Sequence, residues 1–142
     1  MPIAKKGPKK ETKTKKIKKV PNGRGIIHGK FSFNNTILTL SKENGEALTT
    51  VSGGSVDLGS GKKFTGAKKG TPFTAEAVVK EIIRRAIEFG VYSVEVHVKK
   101  IGAGRDTVIK KILEEKSLNN EALVDKTPIP HGGCRPRKRP RK

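Results

Sequence analysis

The sequence predicts an α/β domain built on a mixed five-stranded sheet, with elements in the order βββαβαβ, held between two basic tails. Three observations carry this reading. Apolar residues recur with period two on both sides of an Asn44-Gly45 turn, recur with helical spacing from Thr71 to Phe89, and then fall into a strand, a helix and a last strand. Each helix after the opening meander joins one strand to the next, and right-handed crossovers of that kind build a mixed sheet covered by helices. The boundaries fall at 1–24 for a flexible N-terminal tail, 25–126 for the domain and 127–142 for a proline-rich C-terminal arm.

The first strand opens at Gly25. Ile27, Phe31 and Phe33 share one face with Gly29 between them, while His28, Lys30 and Ser32 alternate onto the other. Phe31 and Phe33 are therefore expected in the core rather than as a base-stacking platform. Asn34-Asn35 interrupts the run, and Thr36 to Leu40 resumes it as a second strand. Glu43-Asn44-Gly45 supplies the positive-φ residues of a hairpin turn, and Ala47 to Ser52 closes the meander. Thr71 is an N-cap and Pro72 a first helical residue; Ala75, Val78, Val79, Ile82, Ile83 and Ala86 then mark one helix face up to the stop at Gly90. On the opposite face Glu76 with Lys80 and Glu81 with Arg85 stand at i, i+4, the pattern of a solvated surface. Val91 to Val98 reads as a strand with Tyr92, Val94, Val96 and Val98 on one side. His97 points the other way and is expected at the surface or facing RNA, not as a metal ligand. A helix bearing Val108, Ile109, Ile112 and Leu113 follows, and Ala122 to Asp125 is the last strand.

Charge is the most informative part of the composition. The chain carries 32 Lys and Arg against 13 Asp and Glu, a net charge of +19. Residues 1–24 hold ten cations and one acid, residues 135–142 hold six cations, and the 110 residues between them are nearly balanced, with sixteen against twelve. Basic ends on a near-neutral body call for a polyanion. An anionic membrane is a poor host, because no run approaches the ~20 apolar residues of a span and Lys5 to Lys19 has no apolar face. The N-terminus lacks the apolar core of a signal peptide, and the lone Cys134 has no disulfide partner, so a cytosolic protein is expected.

Candidate anion contacts lie in four places. The N-terminal tail offers Lys9, Lys10, Lys15, Lys16, Lys18, Lys19 and Arg24 with no apolar period, a segment that orders only on a partner. Gly53 to Gly70 is a Gly- and Lys-rich loop with Lys62, Lys63, Lys68 and Lys69 in two pairs. Its Gly59-Ser60-Gly61-Lys62 is no nucleotide-binding loop, because Val56 and Lys63 occupy positions that need Gly and Ser or Thr. Lys99 to Asp106 passes from a strand into a helix through Gly102 and Gly104, a turn that can aim backbone N–H groups at an anion, with Arg105 adding a phosphate fork. The dinucleotide fingerprint fails at Thr107, which favours a phosphodiester over a cofactor. In the arm, Pro128, Pro130, Pro136 and Pro140 exclude helix and central strand, and Arg135, Arg137, Lys138, Arg139, Arg141 and Lys142 supply the charge. The hinge from Pro128 to Gly133 is expected to set where the arm meets its host.

Several stretches resemble the family of the universal small-subunit ribosomal protein number eleven, of bacterial or organellar type. They are Phe33-Asn34-Asn35-Thr36-Ile37, Gly70-Thr71-Pro72-Phe73, Gly102-Ala103-Gly104-Arg105-Asp106, and Asp125 to Pro136 with its Pro-Ile-Pro-His-Gly-Gly-Cys core, in the family's order. The resemblance implies a ribonuclease H-like three-layer domain that binds small-subunit rRNA in the platform, near the mRNA exit (Shine-Dalgarno) cleft, and supports subunit assembly and translation. It implies the seventh, eighteenth and, in many members, twenty-first small-subunit proteins as neighbours, with no homo-oligomer, no cofactor and no metal. Carried over by position, rRNA contacts fall on Asn34, Asn35, Lys63, Lys68, Lys69, Gly102 to Arg105 and the tail from His131. Two departures stand out. Lys63-Phe64-Thr65-Gly66-Ala67-Lys68-Lys69 replaces the usual loop after extra residues, and His131-Gly132-Gly133-Cys134 replaces His-Asn-Gly-Cys, so an isoaspartate cannot form there.

Two other function classes fit less well. A two-metal nuclease needs carboxylates converging on cations ~3.5–4 Å apart, and the first strand has none while Glu76, Glu81 and Glu88 are interleaved with cations. His131 and Cys134 lack an orienting third group for nucleophilic chemistry. An architectural DNA-binding protein would share the charge but would not prefer folded rRNA to duplex DNA.

Overall fold

The computed structural model describes residues 19–56 and 63–141. Its strands are β1 (Arg24–Phe31), β2 (Thr36–Lys42), β3 (Ala47–Ser52), β4 (Ser93–Lys99) and β5 (Asn119–Asp125), and its helices are α1 (Pro72–Glu88) and α2 (Arg105–Glu114). A 3-10 turn at Gly66–Gly70 leads into α1. The sheet order is β3-β2-β1-β4-β5. β2 is antiparallel to both its neighbours, and β4 and β5 run parallel to β1.

Local chemistry accounts for the boundaries. Gly45, at φ +82°, closes the β2–β3 hairpin. The Thr71 hydroxyl caps α1 by accepting from Thr74 N–H at 3.4 Å, and Pro72 follows at a position whose N–H has no helical partner. Gly90, at φ +75°, turns the chain out of α1. α2 is shorter, buries Val108 and Ile112, and carries Asp106 in its first turn, where the helix dipole favours an acid.

One core holds these elements together. Ile27, Phe31, Leu38, Leu40, Val51, Val94 and Val98 come up from the sheet to meet Val78, Val79 and Ile82 of α1 and Ile112 of α2. Burial of each large side chain contributes about 1.5–3 kcal/mol. Gly25 and Gly29 sit on the same face as Ile27, and a Cβ on Gly29 would fall 2.8 Å from the Phe31 ring.

Both helices lie on one face. α1 joins β3 to β4 and α2 joins β4 to β5, two steps in the same direction across the sheet, so crossovers of one hand put them side by side. α1 accordingly packs on α2, β2 and β3. The order of elements along the chain and the mixed five-stranded sheet are those expected, but the described residues supply two of the three layers. The face carrying Ile26, His28, Lys30, Thr39, Glu95 and Lys99 has no described helix over it.

Four details differ from the expectation. Phe33 is not in the core and is 76 % exposed, because β1 ends at Phe31 and the Ser32–Asn35 bend breaks the alternation. Tyr92 precedes β4 and is exposed. β5 begins at Asn119 rather than Ala122, its register with β4 shifting between Val94 and Glu95. His97 is buried, not at the surface: its Nε2 lies 2.6 Å from Glu95 Oε1, and its ring meets His28 edge-on at 5.1 Å.

On the solvent face of α1, Glu81 bonds the guanidinium groups of Arg84 at 2.8 Å and Arg85 at 2.7 Å. The Arg84 bond first, then that of Arg85, holds its carboxyl down to about 2. A carboxylate depressed in the folded state stabilises above its unfolded value and loses that contribution as pH falls. Glu81→Gln is therefore expected to flatten a small part of the acid-unfolding curve between pH 4.5 and 2, followed by circular dichroism, while changing little at neutral pH in high salt.

Candidate nucleic-acid interface

β1, β3, β4 and β5 all end at the same edge of the sheet, where β2 begins and where both helices start. In open α/β sheets the carboxyl ends of parallel strands are the usual place for ligands. Two helix N-termini add partial positive charge there. The Ser32–Asn35 bend, the loop ending in Gly66–Gly70, the Lys100–Gly104 turn and the root of the arm all meet at this edge.

The bend is gripped by glycines from the loops around it. A Cβ on Gly70 would fall 2.2 Å from the Phe33 carbonyl oxygen, one on Gly102 2.5 Å from that of Ser32, and one on Gly104 2.7 Å from Thr36 Oγ1. Asn35 is equally committed: its Oδ1 accepts from the N–H groups of Thr36 at 2.9 Å and Gly53 at 3.2 Å. Asn35 thus braces the bend, and the neighbouring Asn34 is the exposed one. Gly104 is buried and serves close packing, which corrects the expectation that both glycines offer their backbone to a ligand; Gly102 remains partly open.

Cations surround this bend. Lys63 and Lys68 are exposed and Lys69 is half-buried, and none has an acidic partner among the described residues. The Lys68 carbonyl is fixed by the hydroxyls of Thr71 at 2.8 Å and Thr74 at 2.6 Å, which ties the basic turn to the start of α1. Lys99 is exposed at the end of β4.

Arg105 is not a free fork. It donates to the Lys100 carbonyl at 2.9 Å and to Asp125 Oδ2 at 2.7 Å. Asp125 Oδ1 accepts from the N–H of Thr127 at 2.9 Å and from its hydroxyl at 2.6 Å, and Thr127 Oγ1 accepts from Lys100 N–H at 3.1 Å. The Thr127 hydroxyl first, then Arg105, holds the Asp125 carboxyl down to about 2. This network clamps the arm's root to the turn. From Pro128 onward the arm is exposed, including His131, Cys134, Arg135, Arg137, Lys138, Arg139 and Arg141.

The remaining predicted residues lie elsewhere. Arg24 stands at the opposite edge of the sheet, paired with Glu121 at 3.0 Å and Glu43 at 3.6 Å. Lys19 is exposed beside it, just before Val20, whose N–H bonds the Phe89 carbonyl at 2.9 Å beyond the far end of α1. Lys9, Lys10, Lys15, Lys16, Lys18, Lys62 and Lys142 lie outside the described residues. Sequence reasoning missed two aromatic side chains at the cationic edge. Phe33 and Phe73 are exposed there, with Phe73 edge-on to the buried Phe64 at 6.0 Å. The signals were the Asn-Asn bend, which resets the strand phase after Ser32, and the helical phase, which puts Phe73 off the apolar face set by Ala75, Val78 and Val79.

Unpaired cations, two helix N-termini and exposed aromatic rings on one edge define a polyanion-binding protein able to hold phosphates and stack bases. The family model that matches residues 25–141 is that of Ribosomal protein S11. Proteins named small ribosomal subunit protein uS11 are similar over most of the chain. That of Rippkaea orientalis is 48 % identical over 94 % of this chain and 97 % of its own, that of Kosmotoga olearia 41 % over 93 % and 96 %, and that of Thermus thermophilus 39 % over 94 % and 97 %. The chain belongs to the ribosomal protein S11 family, and with it to the structural proteins of the small ribosomal subunit rather than to the enzymes.

If the edge depends on glycine contacts, adding one methyl should loosen it. Gly102→Ala is expected to lower stability by about 1–3 kcal/mol through overpacking, read from the urea midpoint. Gly45→Ala, in open space at φ +82°, should lose about 1 kcal/mol. A loss below about 1 kcal/mol for Gly102→Ala would show that the Gly102 contact is not tight.

Proposed function

We propose that this chain binds small-subunit rRNA in the platform, near the mRNA exit cleft, and supports subunit assembly and translation there. The observation that carries the reading is the cationic edge. Lys63, Lys68 and Lys69 stand without acidic partners around a bend whose backbone is fixed, and the arm leaves from the same edge. A rigid bend flanked by unpaired lysines suits folded RNA, which is recognised by shape and backbone with bases stacked on exposed rings. Asn34, Gly102 and the arm from His131 to Lys142 extend the contact. Arg105 acts by holding the turn and the arm together. Arg24 and Lys19 reach RNA or protein from the opposite edge, and the N-terminal lysines before them add to the contact with the host. Neighbours are the seventh and eighteenth small-subunit proteins and, as in many members of the family, the twenty-first, and the site of action is the ribosome. Among the described residues no helix is long and apolar enough to cross a membrane.

Sedimentation tests the reading. The tagged protein is expected to travel with small subunits and to be stripped by high salt, and the purified chain should prefer small-subunit rRNA to duplex DNA at matched ionic strength. Equal affinity would overturn it. The clamp at the arm's root makes a second prediction whose sign is informative. Asp125→Ala raises the net charge by one, so charge alone predicts tighter binding. Loss of the Arg105 and Thr127 bonds predicts the reverse, and we expect rRNA affinity in a filter-binding assay to fall several-fold.

A further inference from the structure

On the face turned away from the helices, strand register sets side chains in rows. Lys30 of β1 is the partner of Lys99 of β4 and of Ile37 of β2, and the next row holds Thr39, His28, His97 and Val124. Lys30 and Lys99 are both exposed. Lys126 continues the line at the end of β5, its N–H on the Val98 carbonyl at 2.8 Å and its charge close enough to act on His28. Like charges on adjacent strands repel. None of these three lysines has an acidic partner among the described residues, and the Glu95 carboxylate on the same face is taken by His97 at 2.6 Å. The fold thus keeps a cationic line that nothing in the described chain neutralises.

Beside the line the face is hollowed. The hollow measures about 260 Å³ and is lined by His28, Lys30, Ile37, Thr39, His97 and Lys99. The His28 ring is fixed by Ser41 Oγ at 2.9 Å and by the His97 ring at 5.1 Å. Burial, then the charges of His97, Lys126 and Lys99, lower the His28 pKa from its ordinary value, so the ring presents a neutral aromatic face at physiological pH. A fixed ring beside an aliphatic wall, bordered by unpaired ammonium groups, matches an unstacked base with its flanking phosphates. An acidic protein segment would neutralise the lysines but would leave the hollow unfilled.

We propose that this open sheet face is a second RNA-contact surface, which takes a single-stranded segment with phosphates on Lys30, Lys99 and Lys126 and one base in the hollow over His28. It rests on rRNA being the partner, and it adds a surface roughly perpendicular to the cationic edge.

The test uses the full chain and a small-subunit rRNA transcript carrying 4-thiouridine. Photocrosslinks are expected on the peptides holding His28–Lys30 and Lys99, and should persist in a Lys63→Gln/Lys68→Gln variant. A Lys30→Gln/Lys99→Gln/Lys126→Gln variant should keep its thermal midpoint, lose at least tenfold in affinity, and show a log K against log salt slope shallower by about 2–3, on the order of 0.7–0.9 per phosphate. Crosslinks confined to Phe33, Phe73 and the arm, with an unchanged slope, would overturn the proposal while leaving the cationic edge intact. Crosslinking of this face to an acidic protein segment in assembled subunits would overturn it too. Failure of the wild-type chain to prefer rRNA over duplex DNA would instead remove the reading on which it rests.

Discussion

The bend from Ser32 to Thr36 is the constraint on which the rest of the cationic edge depends. The β3–α1 and β4–α2 connections both come to it, with four glycines at the contacts: Gly53, Gly70, Gly102 and Gly104, whose added Cβ atoms would fall 2.8, 2.2, 2.5 and 2.7 Å from atoms of Asn35, Phe33, Ser32 and Thr36. Backbone approaches of this kind leave no room for a side chain. They also convert separate loops into one rigid body, because Asn35 Oδ1 ties the bend to Gly53 while the Lys68 carbonyl ties the basic turn to α1. A loop of lysines on a flexible stem loses conformational entropy each time it binds. Here much of the backbone ordering is already made in folding.

What was legible in the sequence follows from whether the signal was local. The hairpin around Gly45, the cap at Thr71-Pro72 and the stop at Gly90 each depend on residues within one turn of one another, and each lies where expected. β3 begins and ends at the expected residues. Phe33 failed because a period of two says nothing about where a strand ends, and the end is set by Ser32 bonding Asn35. His97 failed because its burial depends on β1, which places His28 beside it across the sheet. At the site, the unpaired lysines were visible in the charge pattern. The capture of Arg105 by Asp125, twenty residues on, was not, since it exists only after β5 has paired with β4.

The distribution of charge acquires a geometry that composition cannot give. The arm leaves at the carboxyl edge of the parallel strands, and the N-terminal segment joins the domain at the opposite edge, beyond the end of α1. Basic segments that join a near-neutral body at opposite edges allow a host to be bound over a longer span than one segment alone, with a second contact made at high effective concentration once a first has formed. The anchoring differs at the two ends. The arm's root is held by the Arg105–Asp125 pair and the Thr127 bonds, and the opposite root by burial of Val20, backbone bonds of Val20 and Gly23, and the Arg24 pairs with Glu43 and Glu121.

The open face of the sheet is a consequence of handedness. Because β3 to β4 and β4 to β5 step the same way, right-handed crossovers commit both helices to one side, and among the described residues no element covers the other. After β5 the chain does not turn back: Pro128 and Pro130 carry it outward as an exposed arm. The uncovered side chains are not those of an ordinary solvated face, since His97 and Ser41 are buried beneath their neighbours while Lys30 and Lys99 stand side by side without counter-charge. Among the described residues the sheet is covered by its helices on one side and left cationic and hollowed on the other, and that asymmetry is what the second RNA-contact surface proposed above rests on.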